Sequence, residues 1–272
     1  MNTKIIGLGE GGARTITRLI QAGVNAADCI AIGKDENILL TSLAKKNIFL
    51  NRDITSIYKN FADALQGSDS IFMTGGLASN AARIAAPIVT SCAKNAQISA
   101  LMCQPFILEN HARKLNAQYT LKNLRGIVDN LFVVPAEKFF AFRINQPQVS
   151  IHELFDAAND FFANAIKILL SIDLDLKFGD AAIGFAEGSN PLEAVRNAAQ
   201  SPTINEDDIK AAQKVFVRLD SRSTLLRTEA ALNFIKNQLQ PDAQFLSKIA
   251  VSPALNDSCR AVIIISRHYP FQ

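Results

Sequence analysis

Three glycines near the N-terminus have the spacing of a nucleotide-binding turn. Gly7, Gly9 and Gly12 fit the pattern G-x-G-x-x-G, and they stand between the short apolar run Lys4–Ile6 and a helical pattern over Ala13–Ala22. At such a junction the free backbone N–H groups and the helix dipole bind phosphate, and glycine lets the backbone approach the anion. The pattern alone is weak, since a glycine turn that only packs a helix on its strand reads the same way.

A second junction has the same layout without its glycines. The apolar run Ser70–Met73 leads through Gly75 and Gly76 to a turn that reads Ala-Ser-Asn-Ala-Ala-Arg over Ala78–Arg83, followed by an Ala- and Ile-rich helical pattern. Side chains at these positions stand where the backbone would have to approach a phosphate. The sequence therefore predicts the architecture of a nucleotide site that has lost part of its phosphate contacts.

The elements that position these two turns alternate along the first half of the chain. Strands are predicted at Ile5–Gly7, Cys29–Ile32, Ile71–Thr74, Ala100–Cys103 and Leu131–Val134, with helical patterns between them. This alternation is typical of an α/β domain in which helices cover a parallel sheet.

A long helix and a different pattern follow. Ser150 and Glu153 form a capping-box pair that opens an apolar-faced helix running to about Ser171. Beyond it we expect an α+β domain with a smaller sheet, in which strands at Ala181–Ala186, Ala212–Leu219, Phe245–Ser252 and Arg260–Arg267 pair around helices at Pro191–Gln200 and Ser223–Gln238.

The order of motifs resembles the FtsZ/tubulin superfamily, and the bacterial division protein FtsZ in particular. Besides the two junctions, the segments that carry the resemblance are Ala31–Asp35, Ser68–Gly76, Ala85–Val89, Pro105–Arg113, Asp129–Pro135, Leu154–Asp160, Phe185–Gly188, Ala199–Pro202 and Arg260–Ser266. The resemblance implies a tubulin/FtsZ-like fold: a Rossmann-like nucleotide-binding domain over 1–149, a central helix over 150–171 and a C-terminal α+β domain over 172–272.

The resemblance also implies a guanine-nucleotide pocket. Glu109 and Arg113 match the pair that holds the ribose, Phe155 matches the residue that stacks on the base, and Asn159 matches the reader of the guanine edge. The full set of candidate nucleotide-binding residues is Gly9, Glu10, Gly11, Gly12, Arg14, Arg83, Glu109, Arg113, Phe155 and Asn159. An ordinary structural interpretation stays open, because Glu109 and Arg113 also have the spacing of a helical ion pair and Phe155 suits a core.

Three departures from the family predict that GTP hydrolysis is lost. The family's glycine-rich signature falls on Ala78–Ile84, where no glycine stands. Between Asn47 and Ser68 the chain is too short for the loop that senses the γ-phosphate. Ser171–Asp180 replaces the longer loop whose carboxylates act on the neighbouring subunit's nucleotide, with Asp173, Asp175 and Asp180 as candidate substitutes.

Three hypotheses about function follow. The favoured one is a divergent FtsZ-like cell-division or cytoskeletal protein without GTPase activity. It would act in the bacterial cytoplasm as a structural or regulatory partner of other proteins in such an assembly, or of further copies of itself. The second is a GTP-binding filament protein whose phosphate contacts are rebuilt with Ser79, Asn80 and Arg83. The third, an enzyme of the Rossmann type, rests on Gly7–Gly12 alone, since no acid–base or hydride-transfer residues follow. We expect no cofactor, or GTP or GDP if the pocket is still used.

Composition predicts a cytoplasmic globular protein. The chain has 272 residues, 49% of them hydrophobic, and a net charge of +3, and no apolar run approaches the roughly 20 residues of a membrane span. Met1–Lys4 runs directly into the first strand, which leaves no room for a signal peptide. The 4 cysteines lack C-x-x-C spacing and the 3 histidines are far apart, so we expect free thiols and no metal. No stripe of arginines and aromatics indicates a nucleic-acid partner.

Overall fold

The structure is a computed structural model that describes residues 2–51, 53–143, 150–172, 176–222, 224–251 and 258–267. It divides into two compact units, Met1–Lys177 and Phe178–Gln272.

The first unit alternates strands and helices. In chain order its elements are β1 (Thr3–Leu8), α1 (Gly9–Gln21), β2 (Cys29–Gly33), α2 (Glu36–Leu40), β3 (Lys46–Phe49), α3 (Ile54–Leu65), β4 (Ser70–Gly76), α4 (Asn80–Cys92), β5 (Gln97–Gln104), α5 (His111–Arg125), β6 (Asn130–Pro135) and α6 (Ile151–Ile172), with 3-10 turns at Ala26–Asp28 and Ala136–Arg143. The six strands are parallel and lie in the order β3-β2-β1-β4-β5-β6. The predicted α/β class with a parallel sheet is confirmed.

The strand order of this sheet determines where a ligand can bind. Strands β2 and β3 lie on one side of β1 and strands β4 to β6 lie on the other, so the order reverses beside β1. The loops that leave β1 and β4 therefore diverge to opposite faces and open a crevice at the carboxyl ends of the strands. Buried apolar side chains such as Ile6, Met73 and Ala100 make the interior rigid around that crevice.

The second unit is a mixed α+β structure. Its elements are β7 (Gly179–Gly188), α7 (Pro191–Ala199), α8 (Glu206–Lys210), β8 (Lys214–Asp220), α9 (Leu225–Lys236), β9 (Gln244–Ala250) and β10 (Cys259–Ser266). Strand β10 pairs antiparallel with both β7 and β8, and β9 pairs parallel with β8. Residues of α7 and α9, such as Val195 and Ile235, pack on the buried face of this sheet.

Element boundaries differ from prediction at three places. Helix α1 begins at Gly9, not at Ala13, because a single residue with positive φ (Gly9, +72°) turns the chain from strand into helix. Strand β3 was not predicted, since it is four residues long and only half apolar. Helix α8 was also missed, and it has only five residues.

The capping box at the start of α6 is present as predicted. The Ser150 backbone N–H donates to the Glu153 carboxylate at 2.7 Å, and the Glu153 N–H donates to the Ser150 hydroxyl at 3.2 Å. This reciprocal pair satisfies two N–H groups that the helix itself cannot. It sets where α6 begins, and so which of its side chains reach the crevice.

Candidate functional site

The crevice beside β1 is a cleft of about 550 Å³ within the first unit. Helices α1, α4 and α6 and the ends of β1, β2, β4 and β5 contribute to its walls. Most of the residues predicted from the sequence line it: Gly9, Glu10, Gly11, Arg14, Glu109, Arg113, Phe155 and Asn159. Gly12 and Arg83, which were also predicted, do not line it. The fold thus brings together predicted residues from three separate segments of the chain.

Two glycines of the first turn serve packing. A Cβ on Gly12 would lie 2.5 Å from the carbonyl carbon of Gly7 and 2.6 Å from the carbonyl oxygen of Thr74. A Cβ on Gly7 would in turn lie 2.4 Å from the Gly12 carbonyl oxygen. Both approaches are closer than real Cβ contacts, so these glycines let α1 pack on β1 and β4. Here the structural interpretation of the motif holds.

The other two glycines of this turn face the cleft. Gly9 makes the strand-to-helix junction, and at Gly11 the nearest atom to an added Cβ is the Asn159 Oδ1 at 3.7 Å. Leu8 is the N-cap residue of α1, and no side chain caps this helix. The first turn of α1 therefore presents backbone N–H groups and the positive end of the helix dipole to the cleft.

The start of α4, by contrast, is closed by its own side chain. The Ser79 Oγ accepts a hydrogen bond from the Ala81 N–H at 3.1 Å, which is a standard N-cap. The same oxygen lies 2.5 Å from the position where a Cβ on Gly9 would stand. The Ser79 hydroxyl thus fills the gap between the two turns and takes up an N–H group that an anion would use.

Arg83 lies farther along α4 and is exposed outside the cleft. It follows Asn80, the first residue of α4, by three positions, and a helix rises about 1.5 Å per residue, so it is set back from the end of α4 that reaches the cleft. The structure therefore places Ser79 and Asn80 in the cleft, and it places the third residue of the predicted rebuilt phosphate site outside it.

Asn159 carries an unpaired amide. This side chain on α6 is 5% exposed, and its Oδ1 lies 3.3 Å from the Thr15 Oγ1. Its Nδ2 is buried and has no hydrogen-bond partner among the residues that the structure describes. A buried polar group without a partner costs about 1–3 kcal/mol, so a ligand that bonds to the Asn159 amide would remove this cost.

Phe155 lies one helical turn before Asn159 and is 44% exposed, so it is not a core residue. Its ring contacts Phe106 edge to face at 6.0 Å between centroids, and Phe106 contacts Phe140 in the same way at 5.8 Å. These contacts hold the Phe155 ring at the cleft, where one of its faces is available for stacking.

Ion pairs surround the cleft. Arg113 donates to the Glu109 carboxylate, which also accepts from the Phe106 N–H at 3.1 Å. The Arg14 guanidinium lies 2.8 Å from the Glu10 carboxylate. These two pairs leave the lining with both signs of charge in close proximity.

A further arginine connects α1 to α6 next to Asn159. Arg18 donates to Asp156 and to Asp160, each at 2.5 Å. Because the two aspartates flank Asn159 on α6, this double ion pair fixes the orientation of the helix that carries the unpaired amide.

Several lining residues were not predicted from the sequence. Lys34 and Asp35 reach the cleft from the end of β2, and His152 and Cys103 reach it from α6 and β5. The signal that could have found the first two is their position directly after a buried strand next to the switch in strand order. Burial raises the pKa of the Cys103 thiol to about 12, and the nearby carboxylates of Glu109 and Glu137 add to this effect. Cys103 is therefore a protonated, unreactive thiol at neutral pH.

The structure describes only part of the two remaining predicted loops, between β3 and α3 and after α6. Strand β3 ends at Phe49 and helix α3 begins at Ile54. Asp173 and Asp175 lie outside the described residues. Asp180 is a half-buried residue of β7 in the second unit, where its carbonyl oxygen accepts from the Arg267 N–H at 2.7 Å.

The described part of the chain contains no group of three or more His, Cys, Asp or Glu side chains placed to hold a metal ion. It also contains no helix with the length and apolarity needed to cross a bilayer.

Known proteins resemble this chain in sequence over almost its whole length. It is 27% identical to cell division protein FtsZ 1 of Thermococcus kodakarensis, covering 96% of this chain and 79% of that protein. It is 28% identical to FtsZ 1 of Archaeoglobus fulgidus, covering 97% and 81%. No protein-family model matches. These relatives are archaeal and do not support the bacterial source that was expected.

Solved structures share the fold. A mutant of FtsZ from M. jannaschii superposes with a TM-score of 0.81 at 26% identity, covering 97% of this chain and 90% of that one. CetZ1 from Haloferax volcanii, a GDP-bound monomer, superposes with a TM-score of 0.78 at 18% identity, covering 99% and 95%. CetZ2 from the same organism, a GTPγS-bound protofilament, gives 0.76 at 18% identity, covering 97% and 92%.

Proposed function

Because this chain belongs to the FtsZ/tubulin superfamily, we propose that it is an FtsZ-like cell-division or cytoskeletal protein that has lost GTP hydrolysis. It acts as a structural or regulatory partner of other proteins, or of further copies of itself, in such an assembly. The observation that carries this proposal is the Ser79 hydroxyl, which caps α4 and fills the gap between the two phosphate-side turns.

The closed turn affects catalysis through the phosphate contacts. Each charge-assisted hydrogen bond from a backbone N–H to a phosphate oxygen contributes about 1.5–3 kcal/mol. At α4 the Ala81 N–H is already bonded to Ser79, and side chains stand at every position of Ala78–Arg83. A triphosphate bound here lacks the contacts that would hold its terminal phosphate in line for attack by water.

The carboxylates support the same proposal. In this family the hydrolytic carboxylates come from the loop after the central helix, and here Asp180 of that segment is a strand residue. Strand β3 ends at Phe49 and α3 begins at Ile54, which supports the expectation that the γ-phosphate loop of the family is shortened here. On this proposal three parts of the machinery are altered independently, and the loss of any one of them would reduce turnover.

A second function keeps nucleotide binding and filament formation. Arg14 and Lys34 both line the cleft and supply positive charge near its phosphate side. A side-chain cation binds phosphate even where backbone contacts are lost. On this alternative the protein binds GTP through side chains and polymerises in response to it.

Phosphate release decides between loss and retention of turnover. The purified protein, incubated with GTP and Mg²⁺, is expected to release no phosphate above the buffer background, whereas an archaeal FtsZ assayed in parallel does. Magnesium-dependent release at the rate of that reference, abolished by Asp180→Ala, Asp173→Ala or Asp175→Ala, would contradict the proposal. Release that survives all three variants and persists after repurification would contradict the proposal as well, because it would show hydrolysis through other residues.

A further inference from the structure

We infer that the cleft is a site for a nucleoside monophosphate, held by its base and one phosphate, with no place for a longer phosphate chain. This inference rests on the proposed function, because it names the ligand that the altered cleft takes. It differs from a triphosphate site in a measurable way: the affinity does not increase as phosphates are added.

Asn159 lines the part of the cleft where we place the base, and its amide has an unpaired group. Thr15 has one hydroxyl proton, and its Oγ1 lies 3.0 Å from the Gly11 carbonyl oxygen and 3.3 Å from Asn159 Oδ1. Whichever way the Asn159 amide is turned, Thr15 can satisfy only one of its two polar ends, and the other end stays unpaired. The edge of a heteroaromatic base, which carries both donors and acceptors, supplies the missing partner.

An aromatic face lies next to this amide. Phe155 is 44% exposed and is held by its edge-to-face contact with Phe106. Stacking of a base on such a ring contributes about 1–3 kcal/mol by alanine substitution. The cleft therefore combines an unpaired amide and an available ring on the same side of one helix.

One anion site remains at the start of α1. No side chain caps this helix, and Gly9 and Gly11 line the cleft with open backbone. A Cβ on Gly11 would meet only the Asn159 Oδ1, at 3.7 Å, so the space beside this residue is open to a ligand. Arg14, one turn further along α1, adds a positive charge to the lining.

The chain of phosphates cannot continue beyond that point. The Ser79 oxygen lies against Gly9, and a second phosphate on this path would have to displace a hydroxyl that caps α4. The Glu10 carboxylate is paired with Arg14 at 2.8 Å and is not counted as a barrier to phosphate. The Ser79 hydroxyl is therefore the feature that restricts the ligand to a single phosphate.

The test is calorimetric titration of the full-length protein with guanosine, GMP, GDP and GTP, with AMP as a second base. We expect GMP to bind at least as tightly as GTP. Asn159→Ala should weaken GMP binding at least tenfold, whereas Asn164→Ala, at an exposed position of the same helix, should leave it unchanged. A circular dichroism melt of each variant verifies folding.

Substitutions of Ser79 test whether its hydroxyl excludes a longer phosphate chain. Ser79→Gly opens the gap over Gly9 and should raise GTP affinity relative to GMP at least tenfold, and Ser79→Ala, which removes only the hydroxyl, should do so partially. Asp53→Gly removes the N-cap of α3, far from this cleft in sequence, and controls for the loss of a cap.

Each result has one meaning. The inference is overturned if GTP binds the unmodified protein ten times more tightly than GMP does. It is also overturned if none of the five ligands binds. In both cases the proposed function stands if GTP is not hydrolysed. Hydrolysis of GTP overturns the proposed function whichever nucleotide binds best.

Discussion

Asn159, with its unpaired amide, is the residue that argues most directly against a cleft that no longer binds any ligand. Evolution of a cleft that no longer binds anything favours replacing Asn159 by an apolar residue, because the free Nδ2 is buried at a cost to folding. Instead the asparagine is present with one end bonded and one end free. The unpaired amide reduces stability, and the inferred contact with a base would offset that cost.

We therefore expect Asn159→Leu to leave the free energy of unfolding unchanged or raise it by about 1 kcal/mol, since it removes an unsatisfied polar group. The matched control is Asn130→Leu. Asn130 is equally buried, but its amide donates to the Ser99 hydroxyl at 3.1 Å, so this variant should lose about 1–3 kcal/mol. Urea unfolding measures both. Equal destabilisation by the two substitutions would show that Asn159 is satisfied in the folded protein.

At the scale of elements, the first glycine turn has two functions that the sequence pattern does not separate. Gly12 and Gly7 let α1 approach β1 and β4, whereas Gly9 and Gly11 open the backbone to the cleft. Both pairs contribute to one motif, and only the contacts of the folded chain assign each glycine to packing or to binding.

This separation gives a paired prediction. Gly12→Ala places a Cβ 2.5 Å from backbone and should destabilise the protein by about 1–3 kcal/mol or more. Gly11→Ala meets no close atom and replaces a helical glycine, so stability should rise by about 0.5–1 kcal/mol. Thermal or urea unfolding gives both values. Similar effects of the two substitutions would mean that α1 shifts to accommodate either methyl group.

The elements also show what could be read from the sequence. Strands with long buried runs, such as β4 and β5, and the capping box of α6 were predicted because local pattern and tertiary environment agree. Strand β3 and helix α8 were missed because elements of four or five residues carry too few periods to be recognised.

Site residues that belong to a sequence motif could be predicted. Site residues whose position depends on the order of strands in the sheet could not. Phe155 and Asn159 were predicted because the segment Leu154–Asp160 resembles a motif of the FtsZ family. Lys34 reaches the cleft only because β2 lies beside β1, which is a property of strand order. Arg83 was expected in the cleft from its place in the turn, but the turn had already become helix at Asn80.

At the scale of the whole molecule, the question is whether copies of the chain associate. An FtsZ-type contact is head to tail, so it extends into an open filament when no rotation closes it. If the nucleotide no longer completes that contact, GTP cannot control assembly. The altered phosphate side described above predicts an assembly state that is independent of GTP.

Sedimentation and negative-stain electron microscopy, each with and without GTP, test this expectation. The sedimentation profile should be the same in both conditions, whether it shows a monomer, a dimer or a polymer. The Ser79→Gly variant serves as the comparison, because reopening the turn is the change that could restore a response. Filaments that form only after GTP is added to the unmodified protein would establish the second function in place of the first.

The two glycines packed between α1 and its neighbouring strands have a historical consequence. A side chain at Gly7 or Gly12 would collide with backbone atoms, so the fold itself constrains these two positions, whatever ligand the cleft takes. The turn before α4 carries no comparable constraint, and alanine, serine and asparagine occupy it without steric conflict. In a lineage that stops using triphosphates, the second turn drifts while the first persists. On the proposed function, the glycine turn at the N-terminus is retained because the fold needs it, and the turn at Ala78–Arg83 is the part free to differ.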